Sequence, residues 1–289
     1  MASGPRPNPL SAARAAVGLG FCAALAGAAL ALDHPVAILG VIVAIVAVGS
    51  LAGRARLLAR TALFSLPLAI TVGLVNALTS RQGDTVVARL GSLPVIGRLD
   101  ITAESLSYSG VLILRVEAIV LAAALFSACV DADALLRLLR RRSSRFGLSV
   151  GLAARLAPLL ARDGKRMAAA RRTLAPSVAA PRSAIVEALA TGALDRAVDT
   201  AAALELRGLG DGPCLAPAEK RRWSRHDRAM ALSASVIAIL SAVSLAAGWS
   251  LFSVGPTIRA ADGLAPWVVA ALIPLIAVSP MLDRRGVAR

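Results

Sequence analysis

Long stretches almost free of charge alternate along this chain with stretches rich in arginine. A charge-free run of about 18–22 residues is long enough to cross a bilayer core of roughly 30 Å, because a helix rises 1.5 Å per residue. Such runs predict six membrane-spanning helices, at about 15–32, 35–52, 61–79, 109–130, 229–250 and 264–282.

Composition agrees with this pattern. Hydrophobic residues make up 57% of the 289 residues and charged residues only 17%, with a mean hydropathy of +0.72. A soluble globular domain is typically less apolar and more highly charged. We therefore expect an all-α, polytopic membrane protein with a membrane domain in two parts, 1–130 and 229–289, separated by a polar region at 131–228.

The charges predict the topology. The net charge is +15, and cytoplasmic loops of membrane proteins carry the excess of arginine and lysine. Arg6 and Arg14, the arginines of 54–60, the whole of 131–228 and the C-terminus fall on one side if all six runs cross. Both termini are then cytoplasmic.

Two connections on the other side are short, at Asp33 and near Arg259, and one is long. The long one, 80–108, is rich in glycine and serine and carries balanced charges. Its composition is compatible with a loop, a partly inserted hairpin or a surface helix.

Arg115 and Glu117 lie inside the fourth apolar run, where ionisable side chains are costly unless they face protein or water. Residues two apart do not share a helix face, so each needs its own partner. Packing between helices and snorkelling from near a helix end are ordinary explanations, and we treat both residues as structural candidates.

The polar region 131–228 is predicted to contain two long amphipathic helices. In the first, the apolar positions are Leu152, Leu156, Leu159, Met167, Ala170 and Leu174, with an interruption or bend near Pro158 and Gly164. In the second, 183–207, the apolar stripe is Val186, Leu189, Ala190, Ala193, Ala197, Ala201 and Leu204, with Asp195 and Asp199 outside it. Such helices typically lie on a membrane, on each other or in the groove of a partner.

Several short motifs follow one another between positions 101 and 210. They are ITAESL at 101–106, Arg115, FS at 126–127, DADALLRLL at 131–139, AARLAPLLARD at 153–163, ALDRA at 193–197 and ALELRG at 203–208. In this order and spacing they resemble the centre of the transmembrane (T) component of energy-coupling factor transporters, an ABC-type family of cobalt and vitamin importers.

The resemblance implies that the two amphipathic helices are coupling helices whose ends dock into two ATP-hydrolysing subunits. The second docking signature matches Leu206-Arg207-Gly208, preceded by Glu205, with leucine where the family has alanine. The first departs further, because the family's arginine would fall near Leu174 and no glycine follows. Either Arg171 or Arg172, after Ala170, serves from an earlier position, or this docking site is weakened.

The resemblance also implies the partners: two ABC ATPase subunits, a small substrate-binding (S) membrane subunit and the bilayer of a bacterial cell membrane. The substrate would be a vitamin or a transition-metal ion. The chain has no Gly-x-x-x-x-Gly-Lys-Ser/Thr loop, so ATP hydrolysis is expected in the partner subunits and not here. We expect no cofactor, no metal and no nucleic acid.

The apolar runs and basic segments are also compatible with an intramembrane enzyme or a membrane-anchored scaffold. An intramembrane enzyme would need convergent ionisable groups at depth, but His34 and His226 are far apart in sequence and Glu117 stands alone. A membrane-anchored scaffold needs no such groups. The basic runs at 140–142 and 220–222 adjoin predicted spans, where they would attract anionic headgroups; nucleic-acid binding would require more aromatic residues than this region has.

Overall fold

The computed structural model describes residues 10, 13–80, 85–93, 97–131, 135, 144–173, 181–206, 223–254, 258–260 and 263–282. These residues are helical apart from two short antiparallel hairpins. In chain order the elements are α1 (Ala15–Ala31), α2 (Pro35–Leu51), α3 (Ala55–Thr79), β1 (Val86–Leu93), β2 (Gly97–Thr102), α4 (Ala103–Cys129), α5 (Ser144–Thr173), α6 (Arg182–Leu206), α7 (Arg225–Ala246), β3 (Phe252–Val254), β4 (Ile258–Ala260) and α8 (Ala265–Leu282).

The helical class expected from the sequence is confirmed. Four helices, α3, α4, α7 and α8, are long and apolar enough to cross a membrane, which fits a membrane protein. The helices α1 and α2 are also apolar but have only 17 residues each. Crossing of the membrane by all six helices therefore stays a prediction.

Three helices begin four to six residues before the apolar runs predicted to cross the membrane. Helix α3 begins at Ala55 and not at 61, and α4 begins at Ala103 and not at 109. Helix α7 runs from Arg225 to Ala246, earlier than the predicted 229–250. Apolar runs mark the part of a helix that suits lipid, whereas the helix itself continues through arginines and polar residues as long as its backbone hydrogen bonds are satisfied.

Side-chain caps explain where α4 and α7 begin. Thr102 Oγ1 accepts a hydrogen bond from the Ser105 backbone N–H at 3.1 Å, and the Ser105 hydroxyl lies 3.3 Å from the Thr102 nitrogen. Ser224 and Asp227 form the same reciprocal arrangement at the start of α7. These capping boxes satisfy backbone N–H groups that have no partner within the first turn.

The long connection at 80–108 contains a β-hairpin and the first turn of a helix. Strands β1 and β2 pair antiparallel, from Val86 opposite Thr102 to Leu93 opposite Gly97, with two irregularities in register. The hairpin leads directly into α4. The predicted turn near Arg259 is also a hairpin, formed by β3 and β4.

Helix α4 is the central element of the apolar bundle. It packs against α1, α2 and α3, while α1 also packs against α7 and α2 against α8. Helices α7 and α8 also pack against each other. Fully buried side chains at the centre of the bundle include Phe21, Leu25, Ile38, Ile45 and Leu125.

Small residues allow the closest approaches between these helices. A Cβ atom at Gly40 of α2 would lie 2.5 Å from the backbone oxygen of Ala270 in α8. A Cβ atom at Gly73 of α3 would lie 2.6 Å from the Ile113 side chain in α4. Glycine at such points is typical of helix pairs in membranes, where close backbone packing supplies much of the association energy.

The chain divides into two compact units, Met1–Asp131 with Arg222–Arg289, and Ala132–Arg221. The first contains the six apolar helices and both hairpins. The second contains α5 and α6, which pack against each other. Helix α5 is continuous from Ser144 to Thr173 with Pro158 inside it, so the helix is not interrupted there, and a bend near Pro158 and Gly164 stays a prediction.

Candidate functional site

Helices α5 and α6 are joined by an ion pair and by apolar contact. Arg196 Nη2 donates a hydrogen bond to Asp163 Oδ2 at 2.7 Å. At the adjacent position, a Cβ atom on Gly164 would lie 3.3 Å from the Leu189 side chain. Glycine here lets leucine fill the interface beside the ion pair, and the two helices form one packed surface.

The apolar stripe predicted for α5 is buried only in part. Leu152, Leu156 and Leu160 are partly buried, whereas Leu159 and Met167 are 39% and 37% exposed. Ala170 is exposed as well. Asp163 and Gly164, which contact α6, lie outside this stripe.

Helix α6 has a broad exposed apolar face. Val186, Leu194 and Val198 on this face are 67%, 68% and 69% exposed. Leu206, at the last position of the helix, is 90% exposed but lies on the side that carries Asp195 and Asp199. Of the predicted stripe, Leu189, Ala193 and Leu204 are partly buried, but the exposed Val186, Ala190, Ala197 and Ala201 lie on the outer face. Large apolar side chains exposed along one helix are typical of a surface that meets a partner.

The predicted docking residues lie at the ends of these helices. At the end of α5, Ala170 and Arg172 are exposed and Arg171 is partly buried. At the end of α6, Glu205 and Leu206 are exposed. Arg207 and Gly208, the centre of the second signature, lie outside the described residues, as does Leu174.

Arg115 connects α4 to the turn between α1 and α2. Its Nη2 atom donates to Asp33 Oδ1 at 2.7 Å and to the Leu32 backbone oxygen at 3.0 Å. The Arg115 side chain is 18% exposed and that of Asp33 41% exposed. The ion pair therefore fastens the α1–α2 turn to the side of the central helix.

His34 completes this turn. Its Nδ1 accepts a hydrogen bond from the Val36 backbone N–H at 3.3 Å, which caps α2, and its ring lies edge-on to Phe252 of β3 at 6.2 Å. Burial lowers the pKa of His34 below its ordinary value, because the imidazolium form would lose hydration. The neutral ring is thus the form that suits both the cap and the aromatic contact.

Glu117 connects α4 to α3. Its carboxyl oxygens lie 2.8 Å and 3.0 Å from the Ser65 hydroxyl, which is also 2.8 Å from the Thr61 backbone oxygen. About two turns before Glu117 on α4, Ser109 Oγ lies 3.2 Å from Asn76 Oδ1 of α3. Arg115 and Glu117 therefore have separate partners on different elements, as their spacing of two residues leads one to expect.

Asp227 is an important polar residue that the sequence analysis did not single out. It is fully buried, and its Oδ1 accepts from the Arg14 backbone N–H at 2.9 Å while its Oδ2 accepts from the Ser224 N–H at 3.1 Å. The Arg14 guanidinium also lies over the Trp223 ring at 5.3 Å. One carboxylate thus holds the first turns of α1 and α7 together, and the spacing Ser224-x-x-Asp227 was its sequence signal.

None of these polar contacts forms a convergent chemical centre. Among the described residues, no group of three or more histidine, cysteine, aspartate and glutamate side chains is placed to hold a metal ion. The polar residues are instead distributed in pairs, each between two helices or between a helix and a turn. This arrangement can fix helices relative to one another.

A comparison with models of known protein families finds no match to this chain, and a comparison with curated proteins finds none either.

Proposed function

We propose that this chain is the energy-coupling transmembrane subunit, the T component, of an energy-coupling factor type ABC importer. In this role it crosses the membrane six times and transmits the ATP-driven motion of two ATPase subunits to a small substrate-binding membrane subunit. The cargo is a vitamin or a transition-metal ion. The chain itself does mechanical work and no covalent chemistry.

The observation that carries the proposal is the pair α5 and α6. Two long helices that pack on each other and form a compact unit of their own expose valine and leucine along one face. Apolar side chains on an exposed helix face are the means by which amphipathic helices dock in grooves of partner proteins. The order of the sequence motifs supports the identity of those partners.

The end of α6 supports a docking role for the second signature. Leu206, the last residue of α6, is almost wholly exposed and is followed in sequence by Arg207 and Gly208. An arginine offers five donors in a fixed fork and pairs bidentately with carboxylates, so it can transmit force without slipping. An ordinary helix end with arginine and a glycine cap would need no exposed leucine beside them.

The polar pairs of the bundle support a mechanical function. Arg115 with Asp33, Glu117 with Ser65 and Asp227 with Arg14 each join segments that are distant in sequence. A subunit that transmits motion needs helices that move together, and specific polar contacts between them resist sliding. These residues are assigned to that stiffening role and not to binding of the cargo.

Purification of the tagged full-length protein from its native membranes in mild detergent tests the proposal. We expect recovery of one or two nucleotide-binding ATPases together with a small, very hydrophobic membrane protein, identified by mass spectrometry. The identity of the small protein would then indicate the cargo. Recovery of intact protein without any ATPase, after gentle extraction, would contradict the proposal and favour a membrane-anchored scaffold.

The topology is tested separately by labelling. Cysteine substitutions at positions in the β1–β2 hairpin and at the exposed Ala188 of α6 should react with a membrane-impermeant reagent from opposite sides of the membrane. Labelling of both positions from the same side would contradict six crossings with cytoplasmic termini. This result is independent of the identity of the partners.

A further inference from the structure

A cavity lies beside the first turns of α3. Its lining contains both arginine and apolar side chains. Its volume is about 530 Å³, and its described lining residues all belong to the α2–α3 turn and to the start of α3. Arg54, Arg56 and Arg60 supply the charge, and Leu57, Thr61 and Phe64 continue the lining along the helix.

This cavity lies on a different side of α3 from the packed core. The residues of α3 that are buried are Leu58, Ser65, Ala69, Gly73 and Ala77. Leu57 and Phe64, on the cavity side, are 43% and 81% exposed. At 100° per residue, the lining positions 57, 61 and 64 fall together on one face, away from the centre of the buried face. The cavity is thus open to whatever surrounds the bundle.

Within the described part of the chain, the three arginines form no ion pair. The ion pairs found there join Arg14 to Asp227, Arg115 to Asp33 and Arg196 to Asp163, and none involves positions 54, 56 or 60. Orientation in the membrane would be served by arginine anywhere in this turn. Orientation does not require the arginines to line one cavity together. Three guanidinium groups with apolar side chains beside them are suited to bind an amphipathic anion.

We propose that this cavity binds the phosphate group of an anionic phospholipid, with an acyl chain lying along Leu57 and Phe64. Guanidinium groups pair bidentately with phosphate oxygens, and basic residues at the start of a membrane helix attract anionic headgroups. Helix α3 continues past Phe64 with exposed Leu68 and Val72, which gives an acyl chain an apolar path. The site rests on α3 crossing the membrane and does not depend on the proposed transport function.

The test is a lipid titration of the purified, delipidated full-length protein, followed by native mass spectrometry. Phosphatidylglycerol is compared with phosphatidylcholine, and with inorganic phosphate and glycerol phosphate as soluble anions. The variant R54Q/R56Q/R60Q is expected to bind phosphatidylglycerol roughly tenfold or more weakly than the unchanged protein. The variant R54K/R56K/R60K keeps the charge and should retain most of the binding.

A matched control removes the same charge elsewhere. Arg155, Arg162 and Arg166 on α5 are exposed, so R155Q/R162Q/R166Q changes the net charge equally without altering the cavity. This control is expected to bind phosphatidylglycerol as the unchanged protein does. All of these arginines are exposed, and retention of the thermal unfolding midpoint verifies that each variant is folded.

Three results would overturn the proposal. One is equal loss of phosphatidylglycerol binding in the α5 control, which would indicate a general charge effect. Another is equally tight binding of phosphatidylcholine, whose headgroup has no net charge. The third is displacement of the lipid by inorganic phosphate or glycerol phosphate at the same phosphate concentration, which would identify a soluble anion as the ligand.

Discussion

The guanidinium group of Arg115, in the middle of α4, donates a hydrogen bond of 2.7 Å to the carboxylate of Asp33 in the turn between α1 and α2. The two residues are 82 positions apart in the sequence. The same nitrogen reaches the Leu32 backbone oxygen, so one arginine satisfies both a charged and a backbone acceptor of the turn.

Removal of the charge on Asp33 is expected to destabilise the bundle. Asp33→Asn should lower the free energy of unfolding by about 1–3 kcal/mol, because the acceptor of the hydrogen bond loses its negative charge and Arg115 keeps its charge without a counter-ion. Reversible unfolding in detergent micelles measures this change. Asp199→Asn, at an exposed position of α6, is the control and should change stability little. Equal effects of the two substitutions would contradict the role of the pair.

Gly40 is expected to tolerate no side chain. A Cβ atom there would lie 2.5 Å from a backbone oxygen, so Gly40→Ala must separate α2 from α8 and should cost about 1–3 kcal/mol. Gly27→Ala is the matched control, because nothing lies within 4 Å of a Cβ atom at that position. Alanine there should leave the thermal midpoint unchanged or raise it, since alanine favours the helix. A fall at Gly27 as large as that at Gly40 would contradict the packing argument.

Stability is expected to fall in acid because of His34. Burial lowers the pKa of this imidazole in the folded protein below its ordinary value of 6.5. As the pH falls below about 6.5, the unfolded chain takes up the proton first, so folding becomes less favourable until the folded-state pKa is passed. Above that window both states are neutral and the contribution is constant.

Thermal unfolding in detergent between neutral and mildly acidic pH measures the effect of His34. His34→Asn should make the midpoint less sensitive to pH, because asparagine can cap α2 without titrating in this range. An unchanged pH profile in this variant would assign the acid sensitivity to other groups.

Asp227 is expected to hold two helix ends through its two oxygens. Asp227→Asn leaves only one acceptor oxygen, so either the Arg14 or the Ser224 backbone N–H loses its partner, at a cost of about 0.5–2 kcal/mol. Hydrogen exchange at these two amides should accelerate relative to that of the other first-turn amides. Asp195→Asn, exposed on α6, is the control. Unchanged exchange at both amides would remove Asp227 from this role.

If the proposed function is correct, the exposed face of α6 mediates association with the proposed ATPase subunits. Leu194→Glu places a charge in the middle of the apolar face and should reduce the recovery of ATPase subunits at least several-fold. Ala188→Glu adds the same charge at an exposed position on the side that carries Asp195 and Asp199. Recovery of ATPases should persist in this control, and equal recovery in both variants would place the contact elsewhere.

The docking signatures are tested in the same assay. Arg207→Glu should abolish or strongly weaken ATPase association while membrane insertion stays intact. Joint replacement of Arg171 and Arg172 by glutamine tests the first signature, and retention of both ATPases would place that contact elsewhere on α5. Loss of one ATPase but not the other would assign each signature to its own subunit.

The apolar helices and their approximate limits were determined by the sequence alone. A run of residues such as 35–52 is apolar on all sides, and this local property favours a lipid or buried environment whatever the helix later contacts. The two helices of the polar region were also predicted from local properties, namely the change in composition near 131 and the helical spacing of the apolar residues that follow. The start of α7 is also indicated in the sequence by the capping-box pattern Ser224-x-x-Asp227, whereas the capping box of Thr102 and Ser105 at the start of α4 departs from the usual sequence pattern.

Only the tertiary structure decided which polar residues meet. The sequence showed that Arg115 and Glu117 need separate partners, but the identities of Asp33 and Ser65 depend on how α4 packs among its neighbours. Likewise, the contacts of Asp163 and Gly164 with α6 were not indicated by the apolar pattern of α5, which does not include these residues. Packing geometry decides which residues distant in sequence meet. The periodic pattern within one helix does not identify the residues that it contacts on a neighbouring helix.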